Sequence, residues 1–220
     1  MSTVEQLVQL FEANRNAENS RPMEKYMRDQ FPFLGIKTPE RKELLKQFYQ
    51  ESGILKAPFQ PDFVLALWEK AEREYQYAAL GYLEKLVKKL NKDDMPLLEQ
   101  LITTKSWWDT VDTIAPKLVG HLAATYPDVI SSKIDGWAVS DNIWLRRAAI
   151  LFQLKYKQNT DEALLFRYIK ENAHEKEFFI EKAIGWALRE YSKTNPQSVK
   201  QFIEQQPLAS LSIREGSKYI

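Results

Sequence analysis

The feature that most limits what this chain can fold into is a recurrence of about 35 residues in its helical pattern. From Pro61 onward apolar residues fall at helical spacing, and the helices come in pairs: 62–73 with 75–90, 95–103 with 107–124, 127–139 with 142–157, and 161–172 with 178–193. A helix over 196–205 and a short segment near Ile213 finish the chain. The second helices of the last three pairs begin at Ser106, Asp141 and about Lys176, a spacing of 35 residues. No stretch alternates with period two for long enough to make a strand. The expected fold is all-α: an α-solenoid of HEAT-like antiparallel helix pairs, whose inner helices line a concave basic groove. Tetratricopeptide repeats are close in length, but their W-x-x-L-G-x-x-Y pattern is missing.

The first 56 residues read as separate N-terminal helices. Val4, Leu7, Val8, Leu10 and Phe11 form one helical stripe over 2–13. A second helix is expected from Pro22, at a first-turn position, to about Gln30, carrying Tyr26 between Lys25 and Arg28. Phe31-Pro32-Phe33-Leu34-Gly35 is a turn with apolar anchors. Thr38 as N-cap and Pro39 as first helical residue predict a third helix ending near Ser52-Gly53. Its N-terminus is crowded by Lys37, Arg41 and Lys42, the make-up of a phosphate seat. Ordinary capping with solvated charges is the plainer alternative. The segment 57–61, with two prolines, is the most obvious linker, so one domain over 1–220 divides into N-terminal helices (1–56) and stacked pairs (61–220).

Composition excludes several chemistries. There are no cysteines, so thiol catalysis, disulfides and thiolate metal sites are out. His121 and His174 lie on different helices without metal-ligand spacing, and the seven glycines form no phosphate-cradling loop. No metal and no nucleotide cofactor is expected. No apolar run is long enough to cross a bilayer and no signal peptide opens the chain, so a cytoplasmic protein without a membrane partner is expected. The net charge of +1 is a weak argument for nucleic acid. Its distribution is more telling: residues 101–160 hold seven Lys/Arg against five Asp, whereas 61–100 hold six against eight acidic residues.

The densest chemistry lies in Ser106-Trp107-Trp108-Asp109-Thr110-Val111-Asp112. Ser106 can cap a helix, and Asp109 suits a helix N-terminus. Trp108 and Asp112 are i and i+4, one turn apart on one face. A core tryptophan with a solvated carboxylate is the bland reading. The 35-residue period argues against it, because it superposes Asp112, Arg147 and Lys182 on three successive inner helices. Trp108 lies one turn before the first of these and Trp186 one turn after the last. Arg and Lys hold phosphates, and indoles stack on bases or sugars and attract cations. A carboxylate facing DNA must offset its repulsion, and stabilising a sugar oxocarbenium ion does so. Trp68, Trp107, Trp137 and Trp144 are expected to pack between helices.

Ser106–Asp112, Asn142-Ile-Trp-Leu-Arg-Arg147 and Lys182-Ala-Ile-Gly-Trp-Ala-Leu-Arg-Glu-Tyr191 resemble the AlkD family of bacterial DNA alkylation-repair glycosylases. Lys37-Thr-Pro-Glu-Arg41 is similar to that family as well, so the resemblance spans nearly the whole chain in order. It implies a HEAT-like fold that excises N3- and N7-alkylated purines from duplex DNA, with Trp108, Asp112, Arg147 and Trp186 as the active-site set. Tyr26 then faces the DNA near the lesion. Lys37, Thr38, Arg41, Lys182 and Arg189 are the other expected DNA contacts. Alkylation leaves the base cationic and already a good leaving group, so one carboxylate can suffice without a general acid. Asp112 would stabilise the developing oxocarbenium ion and position a water. At ~4 Å and an effective dielectric of ~20 that attraction is on the order of 4 kcal/mol, or about three powers of ten in rate. Arg147 is expected to hold a phosphate beside the lesion. The partner is double-stranded DNA with alkylated bases, bound by a monomer. Two alternatives stay open: a non-catalytic relative recognising damaged or branched DNA, and a protein-interaction scaffold.

Overall fold

The structure, a computed structural model, describes residues 2–220. Among the described residues all regular elements are helical, as the periodicity requires. None of these helices is long and apolar enough to cross a membrane. The chain forms two compact units, the first running to Leu90 and the second from Asn91 to Ile220. The proline-bearing stretch 57–61 therefore lies inside unit 1.

Unit 1 contains α1 (Thr3–Ala13), α2 (Ala17–Tyr26), α3 (Thr38–Ser52), α4 (Pro61–Trp68) and α5 (Arg73–Lys85). A capping box starts α1: the Ser2 hydroxyl accepts from Glu5 N–H at 3.2 Å, and the Glu5 carboxylate accepts from Ser2 N–H at 2.7 Å. Helix α2 begins five residues earlier than Pro22 suggested. Asn16 caps it by accepting from Asn19 N–H, and Pro22 is carried inside at the cost of one ladder bond. It also ends sooner, because Arg28 and Asp29 both turn left-handed with φ of 55°. The start of α3 differs by one residue. Lys37 is the N-cap, Thr38 is already helical and makes no cap bond. Its hydroxyl instead sits 3.4 Å from Arg41 Nη2. Helices α4 and α5 are shorter than the apolar pattern implied, with residues 69–72 making the corner.

The turn before α3 is pinned by Glu74. This fully buried carboxylate accepts three backbone N–H groups, from Leu34 at 3.0 Å, Gly35 at 2.9 Å and Ile36 at 3.1 Å. Burial pushes its pKa up while those bonds pull it down. Gly35 is required there. Its φ is +88°, and a Cβ would lie 1.9 Å from the Asn16 carbonyl oxygen. Gly35→Ala is expected to destabilise the protein by more than about 1 kcal/mol, read as a lower midpoint in urea. An unchanged midpoint would show that the turn can re-form without the left-handed residue.

Unit 2 contains α6 (Met95–Thr103), α7 (Trp108–Ile114), α8 (Gly120–Thr125), α9 (Asp135–Ala138), α10 (Ile143–Leu151), α11 (Glu162–Asn172), α12 (Phe178–Ser192), α13 (Pro196–Gln205) and α14 (Ser210–Gly216). The second helices of its pairs begin at Trp108, Ile143 and Phe178, so the 35-residue spacing holds, each start falling two residues after Ser106, Asp141 and Lys176 and within one residue of the expected ranges. Ser106 is not the cap of α7: its hydroxyl donates back to the Ile102 carbonyl at 2.6 Å, and Trp107 is the N-cap. Helix α10 packs against α7 on one side and α12 on the other. It is buried around most of its circumference, through Leu145, Ala148, Ala149, Ile150 and Leu151. Bonds between neighbouring pairs repeat the period, as in Tyr156 Oη donating to Gly120 O across 36 residues and Asn172 Nδ2 to Ala138 O across 34.

A π-helical stretch over Ala115–Val119 joins α7 to α8. Its cause is local. Pro116 has no N–H to give the Asp112 carbonyl, so the ladder slips to longer-range bonding, with Gly120 N–H reaching Ala115 O. The slip falls one turn after Asp112.

Candidate active site and nucleic-acid interface

Asp112 and Arg147 meet as the period predicts. Arg147 Nε donates to Asp112 Oδ1 at 2.7 Å and Nη2 donates to Oδ2 at 2.8 Å, a parallel bidentate pair. Arg147 Nη1 donates to the Phe179 carbonyl oxygen at the start of α12. One guanidinium thus ties α7, α10 and α12 together. The side chains are 5% and 16% exposed. Arg147 is buried because α10 is the middle helix, and a buried guanidinium must be paired. This corrects the expectation that Arg147 holds a phosphate: its edge is turned onto Asp112. Burial pushes the Asp112 carboxyl above the ordinary aspartate value, opposed by the bonds and charge of Arg147 and reinforced by Asp109 nearby. Both oxygens accept N–H donors, which is the geometry of the ionised form.

The helix starts around the pair are held by local signals and by aromatics. Asn142 caps α10, its side chain accepting from Trp144 N–H at 2.9 Å and Leu145 N–H at 3.4 Å. Trp107, Trp144 and Phe179 stand at the first turns of α7, α10 and α12. Their ring centroids are 5.7 Å apart for Trp107–Trp144, 5.0 Å for Trp107–Phe179 and 4.9 Å for Trp144–Phe179. These rings converge where Arg147 reaches the Phe179 carbonyl. Trp107 and Trp144 therefore pack between helices as expected, and so do the buried Trp68 and Trp137. Trp108 and Trp186 are both half-buried, on the helices flanking α10. Asp109 is in the first turn of α7.

Lys182 and Arg189, expected to contact DNA, are partly exposed and already engaged within the protein. Both pair with Glu215 of α14, through Lys182 Nζ to Oε1 at 3.1 Å and Arg189 Nη1 to Oε2 at 2.9 Å. Glu215 escaped the sequence reading, although it stands 33 residues after Lys182 and nearly continues the series Asp112, Arg147, Lys182.

In unit 1, Tyr26, Lys37, Thr38 and Arg41 line one hollow of about 350 Å³, together with Tyr77. Tyr26 is 71% exposed. The Arg41 guanidinium stacks 4.4 Å from the Tyr77 ring centroid, and burial lowers its pKa while the Tyr77 and Glu74 charges oppose that. Tyr77 was missed because it carries no motif; its only signal is falling four residues after Arg73 on α5.

A family model for the DNA alkylation repair enzyme matches residues 7–220. Among solved structures, a protein described as a predicted DNA alkylation repair enzyme from Enterococcus faecalis is 37% identical, with a TM-score of 0.86 over 94% of this chain and 96% of that one. The smu.31 protein of Streptococcus mutans UA159 shares the fold at a TM-score of 0.61 and 17% identity, over 100% of both chains. No curated protein gives a significant match. A match running through Asp112, Arg147 and Glu215 alike, joined to a near-complete superposition at 37% identity, means that the chain belongs to the DNA alkylation repair enzyme family.

Proposed function

We propose that this protein is a monofunctional DNA glycosylase that hydrolyses the N-glycosidic bond of N3- and N7-alkylated purines in duplex DNA. The observation that carries this reading is the desolvated Asp112 carboxylate, fixed by two hydrogen bonds from Arg147. A carboxylate held in this way costs no reorganisation when positive charge develops on a sugar beside it. The half-buried indoles of Trp108 and Trp186 favour the same charge through their π faces. Arg147 acts through Asp112: it sets the orientation of both oxygens and keeps the group ionised. An alkylated purine leaves as a neutral base, so no proton donor is needed. DNA is the partner, and the hollow of unit 1 binds its backbone.

The test is incubation of purified protein with alkylated duplex, scoring free 7-methylguanine and 3-methyladenine. Uracil and hypoxanthine in the same duplex are expected to survive. Efficient uracil release would mean that a general acid or a base-reading pocket is at work instead. The bidentate pair also favours one second reading, a DNA-binding relative in which Asp112 and Arg147 only brace the helices. Duplex binding without any base release would establish it.

The backbone role of unit 1 is tested separately. Arg41→Ala is expected to weaken binding to all duplex sequences alike and to flatten the salt dependence by about one unit. An unchanged slope with weaker binding would assign Arg41 to packing on Tyr77.

A further inference from the structure

The charges along the inner face of α12 do not balance. Lys182, Trp186 and Arg189 fall at i, i+4 and i+7, so they share a face. Between the two cations lies Gly185. A Cβ there would sit 2.6 Å from Glu215 Cβ and 3.1 Å from the Ser212 carbonyl oxygen. Glycine is what lets α14 descend onto α12 at this point. Ser212 Oγ secures the contact by donating to the Glu181 carbonyl at 2.9 Å. The stem of Glu215 is thereby fixed over the middle of the cation row.

One carboxylate then serves three cations. Lys182 Nζ lies 3.1 Å from Oε1, while Arg189 Nη1 at 2.9 Å and Lys218 Nζ at 2.7 Å share Oε2. The bonds from Lys218 and Lys182 hold the Glu215 pKa down to about 2, so it is ionised at any working pH. Glu215 is buried, but the cation side chains are 37%, 26% and 47% exposed and sit on long flexible stems. Each gives Glu215 a single bond, leaving N–H groups for a second acceptor. A phosphate offers such cations the same kind of oxygen acceptor as a carboxylate.

We propose that Glu215 is a built-in counter-ion that Lys182 and Arg189 exchange for a DNA backbone phosphate, so that it limits the affinity of unit 2 for duplex of any sequence. The inference rests on the reading of the chain as a DNA-binding repair enzyme. A protein that must leave undamaged duplex quickly gains from a contact whose formation breaks an existing ion pair. Glu215 is a positioning residue here and touches no reacting atom.

The experiment measures binding of the full chain to undamaged duplex across a salt series. Glu215→Gln is expected to bind about tenfold more tightly, with a salt dependence steeper by about one unit. Lys182→Met with Arg189→Met should abolish that gain, since it runs through those two cations. Glu215→Asp, which keeps the charge but draws it back by one methylene, should give a smaller gain, and it carries the test if the glutamine variant does not fold by circular dichroism. No gain in affinity, or a gain that survives removal of both cations, overturns the inference. If the wild-type chain itself shows no salt-dependent duplex binding, the DNA reading fails first and this inference with it.

Discussion

Asp112→Asn is expected to slow single-turnover excision of 7-methylguanine by roughly 10²–10³-fold, below the full Coulomb estimate because Arg147 shares the carboxylate's field. The substitution keeps the shape and one accepting oxygen but removes the charge. It also turns an amide N–H₂ toward a guanidinium that is 5% exposed, so some stability is lost as well. Excision is therefore compared at a temperature well below the melting point of both proteins. Affinity for alkylated duplex should stay equal or rise, because a charge that repels phosphates is gone. The expected signature is a large loss in the chemical step with binding preserved. Equal losses in binding and excision would make Asp112 a brace for the helices.

Replacing Arg147 by methionine has a comparable effect by a different route. It leaves the Asp112 carboxylate buried without its donors and strips the Phe179 carbonyl of its partner. Breaking one side of a buried pair costs about 3–5 kcal/mol, and for a chain of this size each kcal/mol lowers the melting temperature by roughly 2–4 °C. Excision should fall by at least ~10²-fold where the variant is still folded, since Asp112 loses the donors that orient it and favour its ionised form. The pH profile carries a separate mark. The bonds and charge of Arg147 pull the Asp112 pKa down against burial. Without them the pKa climbs further, and because the ionised form is the active one, the acid limb of excision moves to higher pH. A double variant separates the two roles. Asp112→Leu with Arg147→Met replaces both charges by apolar groups and should recover much of the lost stability but none of the excision. Wild-type melting and an unmoved acid limb in Arg147→Met would refute the positioning role.

The helical pairing of unit 2 was legible from sequence because it is a local signal repeated. Apolar residues at helical spacing mark each helix, and Asn142, Asp161 and Asn195 each cap the helix that follows them. A constant 35-residue spacing between helix starts puts Asp112 and Arg147 in register whatever the details of the turns. That is why a pairing across two helices could be anticipated at all, and why starts misjudged by a residue or two did not disturb it. The N-terminal starts were less legible: Pro39 does stand in the first turn of α3, one residue further in than expected, whereas Pro22 lies inside α2, whose cap is Asn16.

What the tertiary structure alone decided is which charge answers which. Arg147, Lys182 and Arg189 look alike along the chain, as cations on inner helix faces. Their partners depend on how deeply each helix is buried and how closely its neighbour approaches. Helix α10 is enclosed on both sides, so Arg147 is desolvated and takes Asp112 with the Nε–Nη2 edge of its fork and the Phe179 carbonyl with Nη1. Helix α12 is approached at Gly185 by α14, so Lys182 and Arg189 share Glu215. Glu74 follows the same rule in unit 1, where three backbone N–H groups with no helical partner converge on one buried carboxylate. Periodicity in a sequence reports which face a residue occupies. The cost of burying a charge, which is a property of the packed surroundings, determines what that residue must hold.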